Sequence, residues 1–337
     1  MVLRPTFCPR PGGRSQGLPS SCGHRGGSPI AVKCTSKRWR RRRVRTRGGQ
    51  AVAHIVVRTL LRHAWHHGQH WLRRHLDRWG SSKRPAGWGA MRGCDDAGMR
   101  ELNQLIDVEE PAWPELRETL GGGSVPVEVL PADTDVARTS LLQLQVTARS
   151  YLGAVVLHCG GLVVDNGWVR VFGSPLEGAV PSLAQVNQFP GAFDSAWQPD
   201  AGLVVAHDVL GGVFALNGGA PGRAGRPGAP GEIVYFAPDS LRWEALGAGH
   251  SAWLAWLVSG ALAEFYTDLR WTGWQDEVRA LKSDQGLSLF PPLWSAEARQ
   301  DISATSRRAV PMAELLGVAR DSCREFDGVD PGLLGAV

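Results

Sequence analysis

The chain has 337 residues with 37 Lys+Arg against 32 Asp+Glu, but the charges divide unevenly: residues 1–98 hold 21 basic side chains against three acids, whereas residues 99–337 hold 16 basic against 29 acidic, a balance of −13. The whole-chain excess of positive charge is an average over two unlike pieces and does not by itself indicate a nucleic-acid-binding protein. The six cysteines form no CxxC and no CxxC/HxxxH pair, which excludes the common zinc pattern, and no apolar run reaches the roughly 18 residues of a membrane span.

Residues 1–98 carry RWRRRRVRTR from Arg38 to Arg47 and are rich in Gly and Pro. Three readings compete. Clustered guanidinium groups form a nucleic-acid-binding arm, or the stretch around Ala51–Trp79 forms an amphipathic or targeting helix. The third reading is upstream DNA translated from a start codon set too early, with the natural start at Met99. The expectation is a disordered basic segment or a mis-called start over 1–98, and a single α+β domain over 99–337.

From Met99 the patterning changes. Arg100–Val108 and Trp113–Leu120 read as short helices, closed by Gly121-Gly122-Gly123. Val127–Leu130 reads as a strand, and Asp133 as the N-cap of a helix from Thr134 to about Leu144. The apolar runs Leu152–His158 and Leu162–Val164 read as strands. Asp165-Asn166-Gly167 before Trp168–Phe172 predicts a hairpin, because a type I′ turn with Asn-Gly at its centre needs φ > 0 at both central residues. Residues 173–200 read as a long loop. Leu203–Ala206 and Val213–Leu216 are strands flanking Asp208–Gly212, and Gly219–Gly231 reads as a flexible Gly/Pro insertion. Glu232–Phe236 and Leu241–Trp243 are further strands. Helices follow: one capped by Ser251 with Trp253, Trp256 and Leu257 on its apolar face, one through Leu262 and Phe265, one carrying Trp271, Trp274, Val278 and Leu281, and a last one over Pro311–Arg324. A strand-rich middle between helices argues an antiparallel or mixed sheet flanked by helices.

Catalytic templates are missing: there is no GxSxG, HExxH or GxxxxGK[ST]. His158-Cys159 makes a poor thiol–imidazole pair, since neighbours on a strand point to opposite faces. His207-Asp208, ahead of Gly211-Gly212, is the more informative constellation, because an imidazole and an acid at a strand end are acid–base chemistry in search of a third group. Asp239 is the nearest candidate for that group. No cofactor, metal or catalytic set is assigned; His207, Asp208, Gly211, Gly212 and Asp239 stand as the candidate ligand or partner surface.

The runs MRELNQLIDVEEPAWP, LLQLQVTARSYLGAVVLHCGGLVVDNGWVRVFGS, LVVAHDVLGGVFALNGG, GEIVYFAPDSLRWEALG and FYTDLRWTGWQDEV resemble a bacterial family known as a domain of unknown function (number 2625), over Met99 to about Met312. More distantly, the order of LVVAHDVLGGVFAL, GEIVYFAPDS and SAWLAWL resembles the SUKH (Smi1/Knr4-like) superfamily, many of whose members are immunity proteins that neutralise toxins. That resemblance implies an α+β fold and a protein-binding role. The expectation is therefore a cytoplasmic binding module with a protein partner, a basic toxin being the case implied, and no membrane partner. A small-molecule enzyme built on His207 and Asp208 is the alternative. Nucleic-acid binding is expected only if residues 1–98 are genuine.

Overall fold

The computed structural model describes residues 99–336. The Arg38–Arg47 arm, the 51–79 helix and the question of the start site all lie outside the described residues.

Two short helices open the fold, α1 (Leu102–Ile106) and α2 (Trp113–Gly121), with Pro at the start of α2 where a missing N–H costs nothing. Strand β1 (Val127–Leu130) leads to α3 (Thr134–Leu144), whose N-cap Asp133 accepts from the amides of Asp135 and Val136. Leu152–His158, expected as a strand, is helical: α4 spans Tyr151–His158. Ser150 caps it at the Gly153 amide, and Leu152–Val156 are buried, with α2 and α3 packed against the helix. A continuous apolar run of this length does not distinguish a buried helix from a buried strand. Its Cys159 end is sealed, and burial pushes that thiol up to about 12.

Seven strands then form one antiparallel sheet in simple chain order, β1 to β7. They continue as β2 (Gly161–Val164), β3 (Val169–Phe172), β4 (Gly202–Asp208), β5 (Val213–Asn217), β6 (Glu232–Ala237) and β7 (Arg242–Gly249). The β2–β3 hairpin forms, one residue earlier than the Asn-Gly signal places it. Asp165 (φ 53°) and Asn166 (φ 61°) take the two left-handed positions, and Gly167 follows at φ 92°. The Gly167 amide closes the turn on the Val164 carbonyl at 3.2 Å. The loop over 173–200 holds a short helix, α5 (Leu183–Val186), stabilised by a capping box between Ser182 and Gln185.

The later helices are α6 (His250–Leu257), α7 (Ala261–Phe265) and α8 (Trp274–Arg279). Gly249, not Ser251, is the N-cap of α6. A two-stranded sheet absent from the sequence reading pairs β8 (Gln285–Phe290) with β9 (Ser306–Pro311), and α10 (Met312–Asp327) closes the regular structure. Between β8 and β9 lies the short helix α9 (Ala296–Gln300).

The helical segment after β7 clamps the β2–β3 turn. Arg270 pairs with Asp165 at 2.6 Å, with side chains only 11% and 12% exposed, while its guanidinium lies over Trp274 (4.1 Å) and Trp168 (4.7 Å). Trp168 is fully buried and meets Trp274 and Tyr266 edge-on. The tryptophans of this region are therefore core, with Arg307 over Trp271 at 4.5 Å and Arg270 over Trp168 and Trp274. Removing the cation alone leaves Asp165 buried and unpaired. Arg270→Ala is expected to cost about 3–5 kcal/mol of unfolding free energy, read by urea denaturation. Adding Asp165→Asn to it should recover part of that loss; an unchanged or larger loss would mean that the ion pair is not the source of the cost.

Candidate functional site

Strand alternation sends the two neighbours of the candidate pair to opposite faces of the sheet. Asp208, opposite Val169 in the β3–β4 register, faces the helical layer. Its Oδ2 accepts from the hydroxyls of Tyr235 (2.7 Å) and Tyr266 (3.0 Å), and its Oδ1 from the amides of Leu210 (2.9 Å) and Gly212 (2.8 Å). Burial raises the carboxyl above the ordinary carboxylate range, and these four donors pull it back. Both phenols are raised well above their ordinary value by burial and by the adjacent carboxylate. Gly212 is required here: a Cβ would collide with the Asp208 carboxylate and the Tyr235 hydroxyl.

His207 lies on the other face, in a continuous cross-strand row. Pairing aligns Val163, Arg170, His207, Val213, Phe236 and Trp243 across six strands. The segment 330–336 runs over this row as a strap held by its carbonyls. Trp243 Nε1 donates to Pro331 O (3.0 Å), Arg226 Nη2 to Leu333 O (3.0 Å), and His207 Nε2 to Leu334 O (2.8 Å). That last bond fixes the proton of the neutral ring on Nε2. The Ala336 amide donates to Val186 O at 2.9 Å, and Leu334 is completely buried. Arg226, inside the Gly219–Gly231 stretch, is itself buried and stacks over Trp243 at 4.6 Å.

The five sequence candidates therefore form no exposed surface. His207, Asp208, Gly211 and Gly212 are buried, and Asp239 is a half-buried residue of the β6–β7 turn without a hydrogen bond to the Asp208 cluster. Gly211 turns between β4 and β5 at φ 87°. An imidazole and a carboxylate facing opposite ways across a sheet cannot share a proton, so the expected pair is two separate devices. His158 ends α4 stacked on Trp113 at 5.0 Å, away from both.

Arg170, beside His207, went unnoticed in the sequence although a lone charge inside VRVF is itself a signal. Its Nη1 donates to the carbonyls of Ser283 (2.9 Å) and Gln285 (2.6 Å). Two adjoining shallow depressions meet at Arg170, Phe172, Pro181 and Ser283; His207 and Asp284 line the second. Each has room for about one water molecule, far too little for a drug-sized ligand. No group of three or more His, Cys, Asp or Glu side chains among the described residues could hold a metal ion.

Two measurements test this assignment. Asp208→Ala orphans two phenols and two amides at about 1–3 kcal/mol each. Asp208→Asn keeps an acceptor for the amides and offers N–H groups to oxygens that can accept, so it should cost several-fold less in chemical denaturation; equal losses would refute the four-donor cradle. For His207, burial lowers the ring from its ordinary 6.5 to about 4. The unfolded chain therefore takes up a proton at a higher pH than the folded one. Stability should be complete above pH 6.5 and fall as pH drops toward 4. His250, also lowered to about 4, adds a parallel contribution. His207→Gln and His250→Gln should each flatten part of the slope; an unaltered slope in both would rule out these rings as contributors.

A family model described as a protein of unknown function, DUF2625, matches residues 102–315. The chain is 39% identical over 220 residues to a putative uncharacterized protein YbfG of Escherichia coli (strain K12), covering 64% of this chain and 94% of that protein. It is 33% identical over 195 residues to an uncharacterized protein of Haemophilus influenzae, covering 58% and 83% respectively. No solved structure matches, so the likeness to the SUKH superfamily rests on the quoted sequence motifs alone. On the extent of the family match and the two relatives together, the chain belongs to the DUF2625 family.

Proposed function

We propose that this chain is a cytoplasmic, non-catalytic binding module that captures a basic protein, a toxin neutralised by occlusion being the case favoured by the SUKH-like motifs. The observation that carries the reading is the fate of His207 and Asp208. Each is consumed by a structural contact on its own face, which removes the acid–base pair on which the enzymatic alternative depends. Charge supports it: the segment 101–118 alone presents exposed Glu101, Asp107, Glu109, Glu110, Glu115 and Glu118 against Arg117. Carboxylates so placed accelerate encounter with a cationic partner and set its orientation, an effect that salt suppresses. No helix among the described residues is long and apolar enough to cross a membrane.

The test is capture with the full chain of proteins encoded beside its gene, followed by stopped-flow association. The expected partner is basic, and its association rate should fall steeply with ionic strength. Reversing Glu109, Glu110 and Glu115 to Lys should slow association about tenfold or more, at the lower end of the range for steering, with an unchanged fold. A neutral or acidic partner, or a rate indifferent to salt, would sink the proposal.

A further inference from the structure

The strap over 330–336 lies on the sheet with little regular bonding of its own. It follows α10 at Gly328, whose left-handed φ of 64° ends the helix, and the intervening Val329 is exposed. Among the described residues a single backbone pair ties it to the rest of the fold, the Ala336 amide on Val186 O. The side chains of Trp243, Arg226 and His207 grip it from beneath, on the carbonyls of Pro331, Leu333 and Leu334. Donors aimed at the carbonyls of an extended backbone accept any chain of that conformation, and specificity is left to the side-chain slots.

Arg226 is poorly matched to this occupant. It is 3% exposed and stands over Trp243. Its Nη1 donates to Ala201 O and its Nη2 to Leu333 O, each at 3.0 Å. Nε, on the same edge of the guanidinium as Nη2, is sealed from solvent and has no partner among the described residues. No carboxylate among the described residues lies within ion-pair distance of Arg226. Burial lowers the group to about 10, so it stays a cation at neutral pH. A buried cation with no counter-charge and one orphaned donor is expensive. A carboxylate laid across the Nε–Nη2 edge meets both donors and neutralises the charge. The Leu333 carbonyl, bonded to Nη2 alone, does half of this.

We propose that the strap is a replaceable occupant of a peptide groove, and that the groove takes an extended acidic segment of a partner protein in its stead. The partner's leucine enters the place of Leu334, a glycine follows it against the His207 ring, and the carboxylate of the residue before the leucine spans Nε and Nη2 of Arg226. The segment occupies the volume that the strap vacates, so no standing cavity is required. Tethering gives the strap a local concentration on the order of millimolar, and the bidentate pair is what lets an untethered segment compete with it. This ligand is acidic and binds the strap-bearing face, so the proposal does not rest on capture of a basic protein through residues 101–118.

The experiment titrates the full chain with two C-terminally amidated peptides built on the strap sequence 330–336, DPGELGA and DPGQLGA, by calorimetry and chemical-shift mapping. The glutamate peptide should bind saturably and about tenfold or more tighter than the glutamine peptide, as a charge-assisted pair requires. Its binding should shift the Trp243 indole N–H resonance and speed exchange of the Ala336 amide, because the strap has left. Gly335→Val dislodges the strap, since a Cβ there meets the His207 ring at 2.7 Å; with the competitor gone, the glutamate peptide should bind that variant more tightly than the unaltered chain. Arg226→Lys keeps the charge and loses the fork, and should erase most of the preference for glutamate. Should either variant fail to fold, the comparison of the two peptides on the unaltered chain decides alone. Equal affinity for both peptides, binding that leaves Ala336 protected, or no saturable binding at millimolar concentration overturns the proposal. None of these results bears on salt-dependent capture of a basic protein, so the two readings fail separately.

Discussion

Two consecutive left-handed residues, Asp165 and Asn166, set the register on which the rest of the molecule depends. A one-residue slip in a hairpin exchanges the faces of every side chain beyond it. Placed as they are, they put Val163 opposite Arg170 and, through β4, Arg170 opposite His207. The turn does not hold this geometry alone. Arg270, 105 residues further along the chain, anchors Asp165, and Arg279 donates to the Asn166 side chain at 2.6 Å. A local conformational demand is thus met by a distant cation, and that cation is held by aromatic faces.

The sheet separates two kinds of polar burial. On the helical face, a carboxylate without a cation is stabilised by four neutral donors. On the opposite face, cations and an imidazole meet backbone carbonyls instead of carboxylates: Arg170, Arg226, His207 and Trp243 all donate to main-chain oxygen. In both cases the buried groups are matched by geometry and hydrogen bonds, with little help from opposite charge. The single well-buried ion pair among the described residues, Arg270–Asp165, is the exception, and it sits at the turn that sets the register.

Much of the fold was legible beforehand. Asp133 marked its helix to the residue, since capping depends on a short side chain next to a helical pattern. β1, β4, β5 and β6 were readable because β-branched runs were bounded by Gly, Pro and Asp. What failed did so for identifiable reasons. The run Leu152–His158 carries no periodicity through its buried stretch Leu152–Val156, so helix and strand look alike. The β8–β9 pair was invisible because β9, SRRAVP, keeps only one residue buried, and its partner lies across an intervening helix and 3₁₀ turn. At the site, His207 and Asp208 were found as residues and misread as a pair. Their separation follows from strand alternation. Arg170 and the tyrosines Tyr235 and Tyr266 carry no local motif; only long-range register brings them to their partners.

The strap over 330–336 is gripped almost wholly through its own backbone, by carbonyls that any residue provides. Leu334, which has no exposed surface, and Gly335, whose φ of 117° and contact with the His207 ring exclude a side chain, are specified by shape; Gly332 takes a left-handed φ of 76°, and the Asp330 side chain holds Arg324 and the Gly332 amide. Kinship among such straps should be sought in a leucine followed by a glycine, and in the imidazole, indole and guanidinium that receive them, far more than in the overall identity of the segment.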